Sequence, residues 1–373
     1  MSITNPQSFN TGAWPKRSMH IPDGYLGPST FFFFFVIMIP IWYVASRKVK
    51  GTLKTKQIPL LAFGAAFSFV IMMFNFPAPG GTTGHAVGAA ILSLTLGPWF
   101  AVLGVSGALL IQALLFGDGG ITTFAANCFN MAVVMPFVSY YVYRLLSARA
   151  PLMSRRRWLS AAASGYIGLN LAALACAIEL GLQPLLYVTA DGKPLYAPYP
   201  LSITVPAMLI PHALVFGFVE AAATGFLVSY VLRSDPLLLA PGLATAIPDL
   251  AFQSPKIAAT SSSKRPFALR RLWVLLLALV VLSPLGLFAS GQAFGEWGAS
   301  ELESLLGFAP AGLKGLEGLY SAPLPDYSLP GLSSFASLSL MYALSAVIGI
   351  SILGLSLFAW YRKRLKAGTA DDA

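Results

Sequence analysis

The sequence predicts an all-α, polytopic membrane protein, and three observations carry that reading. Apolar residues make up 56% of the chain and charged residues only 10%, where a soluble domain carries about 25% charged residues. Apolar runs approaching the roughly 17 to 25 residues needed to cross about 30 Å of hydrocarbon recur along the whole length. The Lys and Arg residues gather in short clusters between those runs. The net charge of +10 therefore belongs to loops that flank spans and makes no case for a nucleic-acid partner.

In chain order, residues 1–18 carry Lys16 and Arg17 but no apolar stretch of signal-peptide length. They are expected to be a polar extension or the product of an upstream start codon. Spans are read at 29–46, 57–75, 86–96, 99–116, 121–143, 158–182, 203–232, 272–290 and 337–361. The third has eleven residues and runs into Gly97-Pro98-Trp99, so it and its successor are expected to form a re-entrant or partly buried pair. Ser, Ala, Pro and Thr replace the apolar pattern over 234–271, which reads as a cytoplasmic linker. It separates a seven-span core at 19–233 from a two-span module at 272–373.

Basic residues set the expected orientation. One cluster is Arg47, Lys48, Lys50, Lys54 and Lys56, five residues lie at 144–157, six at 233–271, and Arg362, Lys363, Arg364 and Lys366 close the series; together they hold 20 of the 24. Nine crossings put all four clusters on one side, which the positive-inside rule makes cytoplasmic. The segment before the first span and the loops at 76–85, 117–120, 183–200 and 291–336 are then outside, and the C-terminus inside.

The candidate chemistry lies at that outer face. In Met19-His20-Ile21-Pro22-Asp23-Gly24-Tyr25-Leu26, a chain beginning at Met19 would offer its amine, the His20 backbone nitrogen and His20 Nδ1 to one cation through two fused chelate rings. Three nitrogens in a plane suit Ni(II) or Cu(II), and imidazole also suits Co and Zn, so the donor set points to a late first-row metal. The chain has three histidines. His85, delivered by the Pro- and Gly-punctuated loop 76–85, is the expected fourth ligand; the competing reading is a helix-start histidine bonded to backbone. Asp118 sits in a tight turn as a helix cap or as support for the ligands. Asn127 and Asn130, three apart on one helical face, either orient ligands or join helices by hydrogen bonds. His212 and Glu220 are about 12 Å apart along one helix, too far to share a cation. Cys128 and Cys176 lie in apolar runs and read as packing residues.

Met19-His20-Ile21-Pro22-Asp23-Gly24-Tyr25-Leu26, Phe76-Pro77-Ala78-Pro79-Gly80-Gly81-Thr82-Thr83-Gly84-His85, Leu96-Gly97-Pro98-Trp99 and Gln112-Ala113-Leu114-Leu115-Phe116-Gly117-Asp118-Gly119-Gly120 resemble the CbiM/NikM family. These are the cobalt- and nickel-binding substrate components of energy-coupling-factor ABC transporters. The tail resembles the CbiN/NikN-like or PDGLE-type companion module through Pro325-Asp326-Tyr327-Ser328-Leu329. The resemblance covers about 19–233 and implies a seven-helix core whose N-terminus ligates metal through the Met19 amine, both His20 nitrogens and His85. In the family the Met-His pair opens the chain; here eighteen residues precede it, and the working protein is expected to begin at Met19.

The resulting expectation is a transporter subunit that captures Co(II) or Ni(II) outside and delivers it inward, with the metal as cargo and no resident cofactor. The chain has no Walker-type Gly-x-x-x-x-Gly-Lys-Ser/Thr run, so ATP hydrolysis is expected from partner ATPases acting through a transmembrane coupling (T) subunit. An ion-coupled secondary transporter using Glu220 is the alternative. An intramembrane metalloenzyme fits less well, because the His-Glu-x-x-His spacing is absent. The tail, lacking His and Cys, is expected to promote transport without being needed for binding.

Overall fold

The computed structural model describes residues 19–52, 57–79, 81–151, 154–234, 265–289 and 292–371. The extension at 1–18, most of the expected linker (235–264), Lys54, Lys56 and Gly80 lie outside the described residues. The fold is that of a polytopic helical membrane protein, 74% helical, with seven helices among the described residues long and apolar enough to cross a membrane.

The first, α1 (Pro28–Thr52), presents Phe32, Phe33, Val36 and Ile39 outward, as a lipid-facing surface requires. Helix α2 (Ile58–Met72) is only 15 residues long, yet twelve of them are buried. A helix apolar on all sides needs neighbours on all sides, and α2 has them: α3 (Ala89–Leu96), α4 (Pro98–Ile111) and two C-terminal helices, α10 (Arg265–Leu282) and α13 (Phe335–Asp371), all pack on it. Gly349 of α13 makes this possible, since a Cβ there would stand 2.3 Å from the Phe69 ring.

A two-stranded antiparallel hairpin, β1 (Phe76–Ala78) and β2 (Thr82–Gly84), comes after α2 and pairs Phe76 with Gly84. Residues 85–88 then run without regular structure into α3, whose eight residues are all buried. Eight helical residues rise only about 12 Å, so α3 does not cross by itself. Gly97, at φ 104°, turns the chain between α3 and α4, where the sequence places the break. Exposed backbone N–H groups at this depth need acceptors. Glu220 on α9 (Gly217–Ser234) provides one, its Oε2 accepting from Val87 N and Gly88 N, both at 2.9 Å.

Three helical segments contain π-helical turns: Gln112–Phe116 after α4, Phe129–Val134 between α5 (Phe124–Cys128) and α6 (Met135–Ser147), and His212–Phe216 between α8 (Leu201–Pro211) and α9. The long α7 (Arg155–Leu186) lies against α6, α8 and α9. After α10 a 3-10 turn, Ser283–Phe288, leads to two short helices, α11 (Ala299–Leu306) and α12 (Ala311–Leu316), and a last 3-10 turn at Pro325–Tyr327 before α13.

The loops meet at one face. Gly120 N donates to Ile21 O (3.0 Å), Ala197 N to Tyr25 O (3.1 Å), Gly312 N to Leu195 O (2.8 Å) and Leu324 N to Leu115 O (2.9 Å). Phe294 N adds a bond to Thr82 Oγ1 at 3.2 Å, so the described residues of 19–27, 76–79, 81–88, 117–123, 187–200 and 292–334 form a single cap, in which the C-terminal module is interleaved with the core.

Candidate metal centre

The N-terminal segment is held by the turn between α4 and α5. Asn127 accepts from Ile21 N through Oδ1 (3.1 Å) and donates to Ile21 O through Nδ2 (3.1 Å), so one side-chain amide grips one residue's peptide groups on both sides. Thr123 Oγ1 also donates to Ile21 O, and Asp23 accepts from Ile121 N (3.0 Å) and Thr122 N (2.7 Å). Glycines make the approach close: a Cβ on Gly120 would lie 2.3 Å from Asp23 N, and one on Gly119 (φ 87°) 3.0 Å from His20 Cβ.

Met19 and His20 are thereby buried. Asp118 Oδ1 accepts from Met19 N at 2.7 Å and from His20 Nδ1 at 2.9 Å, so two of the three nitrogens expected to chelate converge on one point. Asp118 is not a helix cap; Thr123 holds that position before α5. Burial alone would push the Asp118 carboxyl up, but the neighbouring His20 and bonds from His20, Tyr327 and Met19 hold it below its ordinary value.

His85 stands beside His20, with ring centroids 5.3 Å apart. Its Nδ1 lies 3.1 Å from Ala86 O and its Nε2 3.2 Å from Met19 O. Burial and the neighbouring His20 lower its pKa, favouring the neutral ring, which has only one N–H. Both neighbours are carbonyl oxygens, so the neutral ring donates to only one of them; with Nδ1–H on Ala86 O, Nε2 is the nitrogen that can ligate a metal. Among the described residues no three His, Cys, Asp or Glu side chains form a metal-holding group.

The remaining candidates separate by position. Asn130 Nδ2 donates to Glu179 Oε2 at 2.9 Å, and His212 lines the same cavity as His20 and His85. Glu220 does not join them, since both carboxylate oxygens are engaged, Oε1 by Thr224 Oγ1 (3.1 Å) and Oε2 by the two peptide N–H groups before α3.

Two contributors come from the tail. Tyr327 is fully buried, stacked on Phe116 at 4.6 Å, and its hydroxyl donates to Asp118 Oδ2 at 2.6 Å while accepting from Gln112 Nε2 at 3.1 Å. Glu296 lines the cavity that His20 and His85 face, and burial together with the Asp118 charge pushes its carboxyl well above its ordinary value. The only hint of Tyr327 in the sequence is the loosely matching Pro325-Asp326-Tyr327 run. An acid in a loop with five acidic residues gives no sign of burial.

The family model described as the cobalt uptake substrate-specific transmembrane region, CbiM, matches residues 20–238. The chain belongs to the CbiM family. Beyond the CbiM region, a PDGLE domain matches 270–363. The fused nickel transport protein NikMN of Rhodobacter capsulatus is 48% identical over 92% of this chain and 98% of its own length. The probable fused nickel transport protein LarMN of Lactiplantibacillus plantarum is 44% identical over 90% and 95%. A crystal structure of a truncated transition metal transporter, 54% identical, covers 58% of this chain and 99% of its own, with a TM-score of 0.54. The CbiM region is thus a metal-uptake membrane component rather than an enzyme, and here it is continuous with a second module.

Proposed function

We propose that this chain is the substrate-binding component of an energy-coupling-factor importer, capturing Ni(II) at the looped face and passing it to the cytoplasm with partner ATPases and a T subunit. The observation that carries the reading is the convergence of Met19 N and His20 Nδ1 on one point beside His85. Met19, His20 and His85 are the ligands in this proposal. Asp118 and Asn127 hold the Met19–Ile21 segment, and Asn130 borders the cavity. Co(II) suits the same donors, but the relatives that span the fused architecture carry nickel in their names. With the N-terminus outside and the C-terminus inside, the looped face is the capturing one. A chain beginning at Met19 should bind more tightly than one bearing residues 1–18, because a terminal amine is a better donor than an amide.

Nickel accumulation in cells expressing this chain with and without the coupling subunit and ATPases tests the proposal. Accumulation that depends on those partners and disappears in His20→Ala and His85→Ala is the expected result. Accumulation driven by an ion gradient without them, and lost in Glu220→Gln, would instead support secondary transport.

A further inference from the structure

The C-terminal module brings a carboxylate to the cavity that nothing in the metal-capturing reading uses. Glu296 sits in the stretch between the 3-10 turn Ser283–Phe288 and α11, and its residue is 9% exposed. The loop is pinned on both sides of it. Phe294 N donates to Thr82 Oγ1 at 3.2 Å, and Tyr25 OH donates to Trp297 O at 2.7 Å. Thr82 belongs to the hairpin that delivers His85, and Tyr25 to the segment that carries His20. Phe294 and Trp297 pack edge-to-face, both against Tyr199. Gly295, at φ 87°, presses the loop so close to α7 that a Cβ would meet Leu180 Cδ1 at 3.0 Å.

This clamping leaves one carboxylate oxygen unused. Backbone at Ala293 bonds to the Glu296 side chain, but Oε2 is buried and has no hydrogen-bond partner. Asn130 Oδ1, on the wall of the same cavity, is buried and unpartnered as well. With Glu296 ionised both atoms are acceptors, and among the described residues the cavity lining holds no Lys or Arg. Buried oxygens without donors are costly. A divalent cation satisfies two open acceptors at once, and carboxylate and carbonyl oxygens both serve as metal donors.

Resting on the reading of the chain as a metal carrier, we propose that Glu296 is an oxygen ligand through which the C-terminal module engages the divalent cation in the cavity, outside the nitrogen set of Met19, His20 and His85. The fused module is on this view part of the binding site. Its acid meets the ion on the side of the cavity lined by the tail, and Asn130, on the wall of the same cavity, supplies a neutral oxygen.

The experiment uses the purified full chain with Ni(II) alone, read by equilibrium binding, and with Co(II), read by its visible absorption. Glu296→Gln keeps size and removes the charge, and it should weaken Ni(II) binding at least tenfold and alter the Co(II) spectrum. Glu296→Asp should recover part of the affinity. Glu303→Gln, at an exposed acid of the neighbouring α11, should bind as the unmodified chain does, which separates ligation from a general field effect. Thermal unfolding of each variant without metal identifies any loss of fold, in which case Glu296→Asp becomes the deciding comparison. Wild-type affinity and spectrum in folded Glu296→Gln would overturn the inference while leaving the carrier reading intact. An unmodified chain that takes neither Ni(II) nor Co(II) would overturn the carrier reading itself.

Discussion

Single side chains decide what this site does with protons. Burial and the neighbouring His20 hold His85 below the ordinary imidazole value, which is about 6.5, and its protonated form competes with metal. Affinity should therefore fall as pH drops, and the part due to His85 should begin below about 6.5 and flatten above it. Titrating Ni(II) binding across mildly acidic to neutral pH checks this; affinity that rose on acidification would contradict it. His85→Ala should cost at least a hundredfold in affinity and abolish that segment of the profile. Tyr327 acts one bond further out. Its hydroxyl is one of three donors on Asp118, and removing a bond to a charged group costs about 1.5–3 kcal/mol of stability, so Tyr327→Phe should lower the thermal midpoint of the metal-free chain. Equal midpoints in Tyr327→Phe and the unmodified chain would show that Asp118 is held without its help.

Among the elements, the broken region from β2 to α4 governs the geometry. A continuous helix from His85 onward would have turned the imidazole with the helical period; the irregular stretch 85–88 instead lets His85 lie against Met19 before α3 begins at Ala89. That stretch persists because Glu220 satisfies its N–H groups. Glu220→Leu should leave two buried N–H groups unpaired at about 1–3 kcal/mol each and lower the thermal midpoint in detergent. Glu220→Gln, which keeps one accepting oxygen, should recover part of that loss. An unchanged midpoint in the leucine variant would mean that other acceptors take over. The π turns act in a similar way: each adds a residue to a helical segment and redirects the helix beyond it, and their residues include Gln112, Asn130 and His212. The apolar pattern gives no signal for them, since π and α turns bury the same kinds of residue.

For the whole molecule, the question is how separable the two modules are. The composition of the tail suggests an accessory that leaves binding untouched, whereas the structure puts Tyr327 on Asp118 and Glu296 on the cavity, with α10 and α13 covering α2. Ending the chain near Ser262 should therefore weaken metal binding at least tenfold, not only slow transport. Equilibrium binding by the folded truncation decides it, and undiminished affinity would return the tail to a purely accessory part.

Membrane character, the helical architecture, the break at Gly97, and Met19, His20 and His85 as candidates were all legible in the sequence. Each depends on local chemistry: apolar run length, a turn residue with positive φ, or a side chain with a lone pair to give. The hold of Asp118 on Met19 and His20, the grip of Asn127 on Ile21 and the arrival of Tyr327 and Glu296 were decided by the tertiary structure alone. These contacts join residues about a hundred or more positions apart, and at such separations only packing decides which polar side chain meets which. A buried acid in a loop reads in sequence like any solvated one until the fold closes over it.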